Sequence, residues 1–212
     1  MYQLYYYPGN ANLAPHMLLE EIGVSFELLL VDRAAAAHKQ PAYLRLNPSG
    51  RIPVLVDGDL VLFETAAICL HLADCHPAAA LVPAVGSIAR AQCYKWLMYL
   101  TNTLQAELLC YFYPERLADD EAAVSQVCLH AEKRIEAMID LLENTLADGR
   151  SWLLGIEYSI LDPYLFMLAR WTRNMHRPAK ALPHFAAYLA RVHARPAVQR
   201  ALAREGLGEP VY

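Results

Sequence analysis

The chain has 212 residues, of which 56% are hydrophobic and 19% charged, against averages of about 45–50% and about 25%. That composition excludes a disordered protein and provides for a well-buried core, in one large domain or two small ones. The 18 basic and 22 acidic residues leave a net charge of −4, so no broad cationic face is expected, and neither nucleic acid nor an anionic membrane is an expected partner.

Up to about Asp74 short apolar runs alternate with helical stretches. Tyr2 to Tyr7 is aromatic and ends at Pro8-Gly9, a strand meeting a turn. Leu13, Met17, Leu18 and Ile22 recur at helical spacing, and Pro15 is tolerated because it falls in the first turn. Phe26 to Val31 is a nearly continuous apolar run, the pattern of a strand covered on both faces. After a less regular segment, Ile52 to Val56 and Leu60 to Phe63 flank Asp57-Gly58 and predict a β-hairpin. From Glu64 the pattern is helical again. His76 to Gly86, with prolines and a glycine, reads as a linker. Beyond it every periodic stretch is helical: about 87–113, 121–146, 159–175, 183–194 and 196–204. Ser159-Ile-Leu-Asp162 carries a capping-box signature ahead of an apolar helix. The fold class expected is therefore α/β followed by all-α.

The five cysteines (Cys69, Cys75, Cys93, Cys110, Cys128) form no CxxC pair and the eight histidines are scattered. Reduced thiols in the cytoplasm fit better than a disulfide framework, and no metal site is expected. No segment reads as a signal peptide or as a bilayer span.

Three features have the residue types for chemistry. The first is the turn Tyr6-Tyr7-Pro8-Gly9-Asn10-Ala11-Asn12, where a helix N-terminus is joined by a phenol and two side-chain amides, all donors suited to an anion. Asn10 and Asn12 are equally suited to turn formation and N-capping. The second is Asn47-Pro48-Ser49-Gly50-Arg51-Ile52-Pro53-Val54, where a cis Pro53 would leave backbone groups for an extended ligand. The third is Glu64-Thr65 at a helix start, a pair able to grip an amino acid's ammonium and carboxylate or simply to cap the helix.

In their order and spacing these motifs resemble the cytosolic glutathione transferases, through YYYPGNANLAPHMLLEE, NPSGRIPVLVDGDLVLFET and SILDPYLFMLARW, over essentially the whole chain. PGxxxLAxH and WLxYL bring the bacterial beta class nearest. The resemblance implies a thioredoxin-like glutathione domain (βαβαββα) over residues 1–79 and an α-helical domain over 87–212. It implies an enzyme with glutathione as co-substrate, conjugating it to small hydrophobic electrophiles in detoxification, with no metal. It also implies a homodimer to which Ser87-Ile-Ala-Arg90 contributes.

Carried over by residue, the resemblance makes Ile52 the backbone partner of the cysteinyl group and Pro53 the cis-proline. Glu64 and Thr65 fall at the γ-glutamyl end, Arg51 near the tripeptide, and His38 and Lys39 near the glycyl carboxylate. Tyr99, Leu104, Gln105, Leu108, Tyr111 and Tyr113 become candidates for the electrophile site. At the reactive end the chain departs from the beta class. Ala11 stands where that class has its cysteine, and Gln105-Ala106 where it has His-Lys. Asn10, Asn12 and Tyr6 are left as candidate donors to the sulfur. Without that cysteine, disulfide or peroxide reduction would need two glutathiones; a non-catalytic binding protein on the same scaffold is the other alternative.

Overall fold

The computed structural model describes residues 1–212. The chain divides into two compact units, one made of residues 1–82 with 192–211, the other of residues 83–191 with Tyr212.

The first unit is built on a four-stranded sheet in the order β2-β1-β3-β4. The strands are β1 (Tyr2–Tyr6), β2 (Phe26–Leu30), β3 (Val54–Asp57) and β4 (Leu60–Phe63). β1 runs parallel to β2 and antiparallel to β3, and β3 and β4 form the hairpin. The two-residue turn is Gly58-Asp59, one position later than the sequence suggested, with Asp57 still paired to Leu60 and Gly58 at φ +59°. The apolar run of β2 is not covered on both faces: β2 is an edge strand, and Leu30 is 60% exposed.

Around this sheet lie α1 (Leu13–Ile22), the single turn α2 (Pro41–Leu44) and α3 (Thr65–Cys75). Strand alternation sorts the core. Leu4 and Leu55 sit opposite each other in the β1–β3 ladder and are fully buried. Tyr2 shares the face of Leu4, and its hydroxyl meets His76 at the end of α3 (2.9 Å). Tyr5 and Val54 face the other way, into a smaller cluster with Val31, Tyr43 and Ile52. Gly23 ends α1 in the left-handed region, its N–H donating to the Leu19 carbonyl (3.0 Å), as a C-terminal glycine does.

In the second unit α4 (Ile88–Tyr99) continues through a π-helical stretch, Leu100–Gln105, into α5 (Ala106–Phe112). The helices α6 (Glu121–Leu146), α7 (Leu161–Trp171) and α8 (Pro183–His193) follow. Two of these helices, α4 and α6, start on side-chain caps. The Ser87 hydroxyl accepts from Arg90 N–H (3.0 Å), and the Asp120 carboxylate from Ala123 N–H (2.9 Å). Asp162 closes the capping box by accepting Ser159 N–H at 2.8 Å, and also accepts Leu153 N–H at 2.9 Å and the Tyr188 hydroxyl at 2.7 Å.

The last helix, α9 (Pro196–Arg204), belongs to the first unit and packs on α1. Arg200 and Arg204 both reach Glu20, at 2.7 Å each, and Arg195 reaches Glu21 at 2.5 Å. Just after α9, the buried Glu205 collects three donors: Gly9 N–H (2.8 Å), the Asn12 amide (2.9 Å) and His16 Nδ1 (2.7 Å). A carboxylate only accepts, so Nδ1 is the donor in the His16–Glu205 bond.

Two predictions follow from these buried carboxylates. Burial pushes the Asp162 carboxyl up to about 6, against the donors that favour its charged form. The folded state then holds its proton more tightly than the unfolded chain. The stability this group contributes is full below about pH 4 and lost as pH rises through about 6. Melting curves from pH 4 to 7 should show that component in the native protein and not in Asp162→Asn. Replacing Glu205 by Gln turns an acceptor into a donor against donors; denaturant unfolding should show a loss of at least about 2 kcal/mol.

Candidate active site

The strand register gathers the three motifs. Tyr5 pairs with Val54 and Val54 with Phe63. The residues that follow β1, precede β3 and follow β4 therefore emerge at one end of the sheet: the turn 7–12, Ile52-Pro53 and Glu64-Thr65. The segment after β2, which carries His38 and Lys39, leaves from that end too, because β2 is parallel to β1. The carboxyl ends of parallel strands are where α/β sheets commonly hold ligands.

Within the turn the two asparagines differ. Asn12 is fully buried. Its carbonyl oxygen accepts Tyr7 N–H (3.1 Å) and its amide donates to Glu205. It makes no side-chain cap on α1; both ends of the side chain are used inside the fold. Asn10 is half-buried, and its Oδ1 accepts Ala11 N–H at 2.7 Å. That bond orients the side chain, since only the oxygen can accept, and leaves the NH₂ end as a donor. Tyr6, half-buried, lies on the Leu4 face at the end of β1. Tyr7 packs into the cluster of Tyr43 and Ile52, with the Arg33 guanidinium over its ring at 5.6 Å.

The Ile52-Pro53 peptide is cis, and Ile52 lies just outside the ladder, which starts at Val54. The Arg51 carbonyl is held by two donors, the Tyr43 hydroxyl and the Asn47 amide, both at 2.8 Å. Asn47 also accepts from Ser49 N–H (3.0 Å) and the Ser49 hydroxyl (2.7 Å). Gly50 closes this loop at φ +61°, where a Cβ would come within 3.0 Å of the His38 carbonyl oxygen and 3.2 Å of Lys39 Nζ. The loop therefore fits closely beside the 3₁₀ turn Ala37–Lys39. Burial lowers the His38 pKa, and the charges of Lys39 and Arg33 lower it further, which favours its neutral imidazole.

Glu64 occupies the N-cap position of α3, but without a side-chain capping bond and with φ +73°. Positive φ in a residue other than glycine is strained by about 1 kcal/mol or more, and such strain collects at ligand sites. Simple capping does not account for it. The Glu64 side chain is exposed, while Thr65 is buried.

The candidates from the helical unit are more dispersed. Leu104 and Leu108 are 1% and 0% exposed, on the inward side of the helix, and serve its packing. Gln105 accepts from the Tyr164 hydroxyl at 2.5 Å, and Tyr99 donates to the Met138 carbonyl at 3.2 Å. Tyr111 stacks edge-on against Phe112, and Tyr113 holds the Arg116 guanidinium 4.0 Å from its ring centre. Gln105, Tyr111 and Tyr113 are half-buried. The sequence reading gave no role to Tyr43, Asn47, His16 or Glu205, although Asn47 heads the turn-forming Asn-Pro-Ser-Gly and His16 ends the PGxxxLAxH motif.

Comparison with known proteins identifies the family of both units. Residues 1–74 match the glutathione S-transferase N-terminal domain and residues 89–191 the C-terminal domain. Glutathione S-transferase GstA of Escherichia coli O157:H7 is 32% identical over 207 residues, covering 97% of this chain and 99% of its own. The crystal structure of a glutathione transferase homologue from Sulfitobacter with bound glutathione superposes with a TM-score of 0.89 at 29% identity, covering 98% of this chain and 99% of that one. A beta-class glutathione S-transferase from Sphingomonas chungbukensis gives 0.85 at 32% identity, over 97% and 100%. With both domains matched in order and nearly the full length aligned, the chain belongs to the glutathione S-transferase family.

Proposed function

We propose that this protein is a glutathione transferase, binding glutathione as its thiolate at this end of the sheet and conjugating it to small hydrophobic electrophiles. The observation that carries the reading is the convergence of the turn 7–12, the cis Ile52-Pro53 and the uncapped Glu64-Thr65 at one sheet end. The Sulfitobacter homologue, alike over nearly its whole length, is described with glutathione bound. Each motif then has one job. Ile52, outside the ladder, pairs its backbone with the cysteinyl group, with Pro53 and Arg51 shaping that strand edge. Glu64 and Thr65 take the γ-glutamyl end. Lys39, with His38 beside it, faces the glycyl carboxylate.

A thiol has a pKa near 8.5, and a two-unit reduction makes most of it thiolate at neutral pH, for about 2.7 kcal/mol of preferential stabilisation. One hydrogen bond to a charged group contributes about 1.5–3 kcal/mol, and a helix N-terminus adds up to about 2. One donor at the start of α1 therefore suffices. Asn10 is the best placed, because its oxygen is anchored on Ala11 N–H and its NH₂ end is left over, whereas the Asn12 amide is committed to Glu205. Tyr6 is the competing donor. Electrophile contacts fall to the half-buried Gln105, Tyr111 and Tyr113; Leu104 and Leu108 support their helix from within, and Tyr99 bonds the Met138 carbonyl.

A homodimer is supported by apolar surface on both units: Leu60, Val61 and Phe63 on β4, and Tyr94 and Met98 on α4, are exposed. The five cysteines are all free, which suits the reducing cytoplasm. No helix is long and apolar enough to cross a membrane.

Ultraviolet titration of bound glutathione tests the donor. Asn10→Ala should raise the pKa of the bound thiol by about 1–2 units and slow conjugation of 1-chloro-2,4-dinitrobenzene at pH 7, with Tyr6→Phe near native. The reverse pattern would move the role to Tyr6, and no shift in either variant would leave it to the helix N-terminus. Glu64 separates binding from stability. Glu64→Gly should relieve about 1 kcal/mol of backbone strain and raise the melting temperature, yet weaken glutathione binding about 10–100-fold by calorimetry. Unchanged affinity would remove Glu64 from the site.

A further inference from the structure

Asp57 ends β3 and so lies three residues, about 10 Å, from Val54 and the candidate active site. In the last turns of α3, His71 and Cys75 are four residues apart and share one helix face. The hairpin and the helix bring these three side chains together. His71 Nε2 lies 3.1 Å from Asp57 Oδ2, and Cys75 Sγ lies 3.7 Å from each ring nitrogen of His71. All three ligand atoms fall within 4.8 Å of one another. Around a tetrahedral zinc ion, bonds of about 2.3 Å to sulfur and about 2.0–2.1 Å to nitrogen and oxygen set edges of about 3.6 Å for S···N and about 3.3 Å for N···O. The Nε2···Oδ2 and Nε2···Sγ separations are within a few tenths of an ångström of these edges, and Sγ and the Asp57 carboxylate lie within 4.8 Å of each other.

From this geometry we propose that Asp57, His71 and Cys75 bind one zinc ion at the hairpin end of the first unit. A thiolate, an imidazole and a carboxylate together form a donor set for zinc rather than for magnesium or calcium, which take oxygen ligands. On binding, the Cys75 thiol gives its proton to water and its sulfur bonds the metal; no electrons are transferred. The fourth position falls to water, because the cluster of ligating side chains comprises only these three. His71 and Asp57 are half-buried and Cys75 is exposed, so the ion has an open approach. The bound ion would tie the β3–β4 hairpin to the end of α3, two segments otherwise joined there by the His71–Asp57 contact.

The test is a titration of the full chain with cobalt(II), then zinc, in a phosphine reductant and without glutathione. One equivalent of cobalt should produce the near-ultraviolet thiolate-to-cobalt absorption, and zinc should abolish it. Cys75→Ser should lack that absorption. His71→Ala and Asp57→Asn should weaken binding by at least about tenfold, the smallest loss typical even of an outer-sphere partner. Zinc should also raise the melting temperature of the native chain and not of Cys75→Ser. Absence of stoichiometric binding, or an undiminished signal in Cys75→Ser, overturns the proposal. With no glutathione present, neither result bears on the transferase reading.

Discussion

The turn between β1 and α1 takes its shape from one buried acceptor. Glu205 receives the Gly9 N–H, the Asn12 amide and the His16 imidazole, donors from three successive parts of a segment that must be both irregular and rigid. Each would cost about 1–3 kcal/mol if buried without a partner. The turn therefore has one low-energy arrangement, which exists only once α9 has packed on α1 and delivered Glu205. The ion pairs of Glu20 and Glu21 with Arg195, Arg200 and Arg204 lie along that same seam. Burial works against a charged Glu20, but the two guanidiniums prevail and hold its carboxyl below the usual range.

Rigidity elsewhere makes the departures at the site informative. The helices α4, α6 and α7 start with side chains that satisfy backbone N–H groups. The start of α3 does not: Glu64 is strained, exposed and uncapped. It is held there because Phe63 is pinned to Val54 in the hairpin ladder while Thr65 and Ile68 are buried in the core. The strain is maintained by packing on both sides, and the exposed carboxylate is the group that benefits.

Local patterns account for what was legible in the sequence. The strand and helix order, the capping box at Ser159-Asp162 and the cis-proline motif all rest on contacts between residues close in the chain. The edge position of β2 was not legible, because a run such as Phe26 to Leu30 reads alike in a central and an edge strand, and only the sheet order decides. The use of Asn12 was hidden for a related reason. As a residue type it suits an N-cap, and its actual partner, Glu205, is 193 residues away. Leu104 and Leu108 were apolar at the right spacing for either a cleft or a core, and periodicity alone does not tell which side of a helix faces inward.

The replacement of a cysteine by Ala11 changes what kind of chemistry the turn can support. Ala11 is 5% exposed and its N–H is taken by Asn10, so the position offers neither a nucleophile nor a free backbone donor. The thiol that reacts must come from glutathione, and the protein's part reduces to holding its anion. An amide suits that part differently from a phenol. A tyrosine donor ionises near pH 10 and then repels a thiolate, whereas an asparagine amide has no proton to lose in that range. Stabilisation by Asn10 would thus stay constant with pH, and the conjugation rate would follow a single ionisation, that of the bound thiol. A phenolic donor would add a second, alkaline limb.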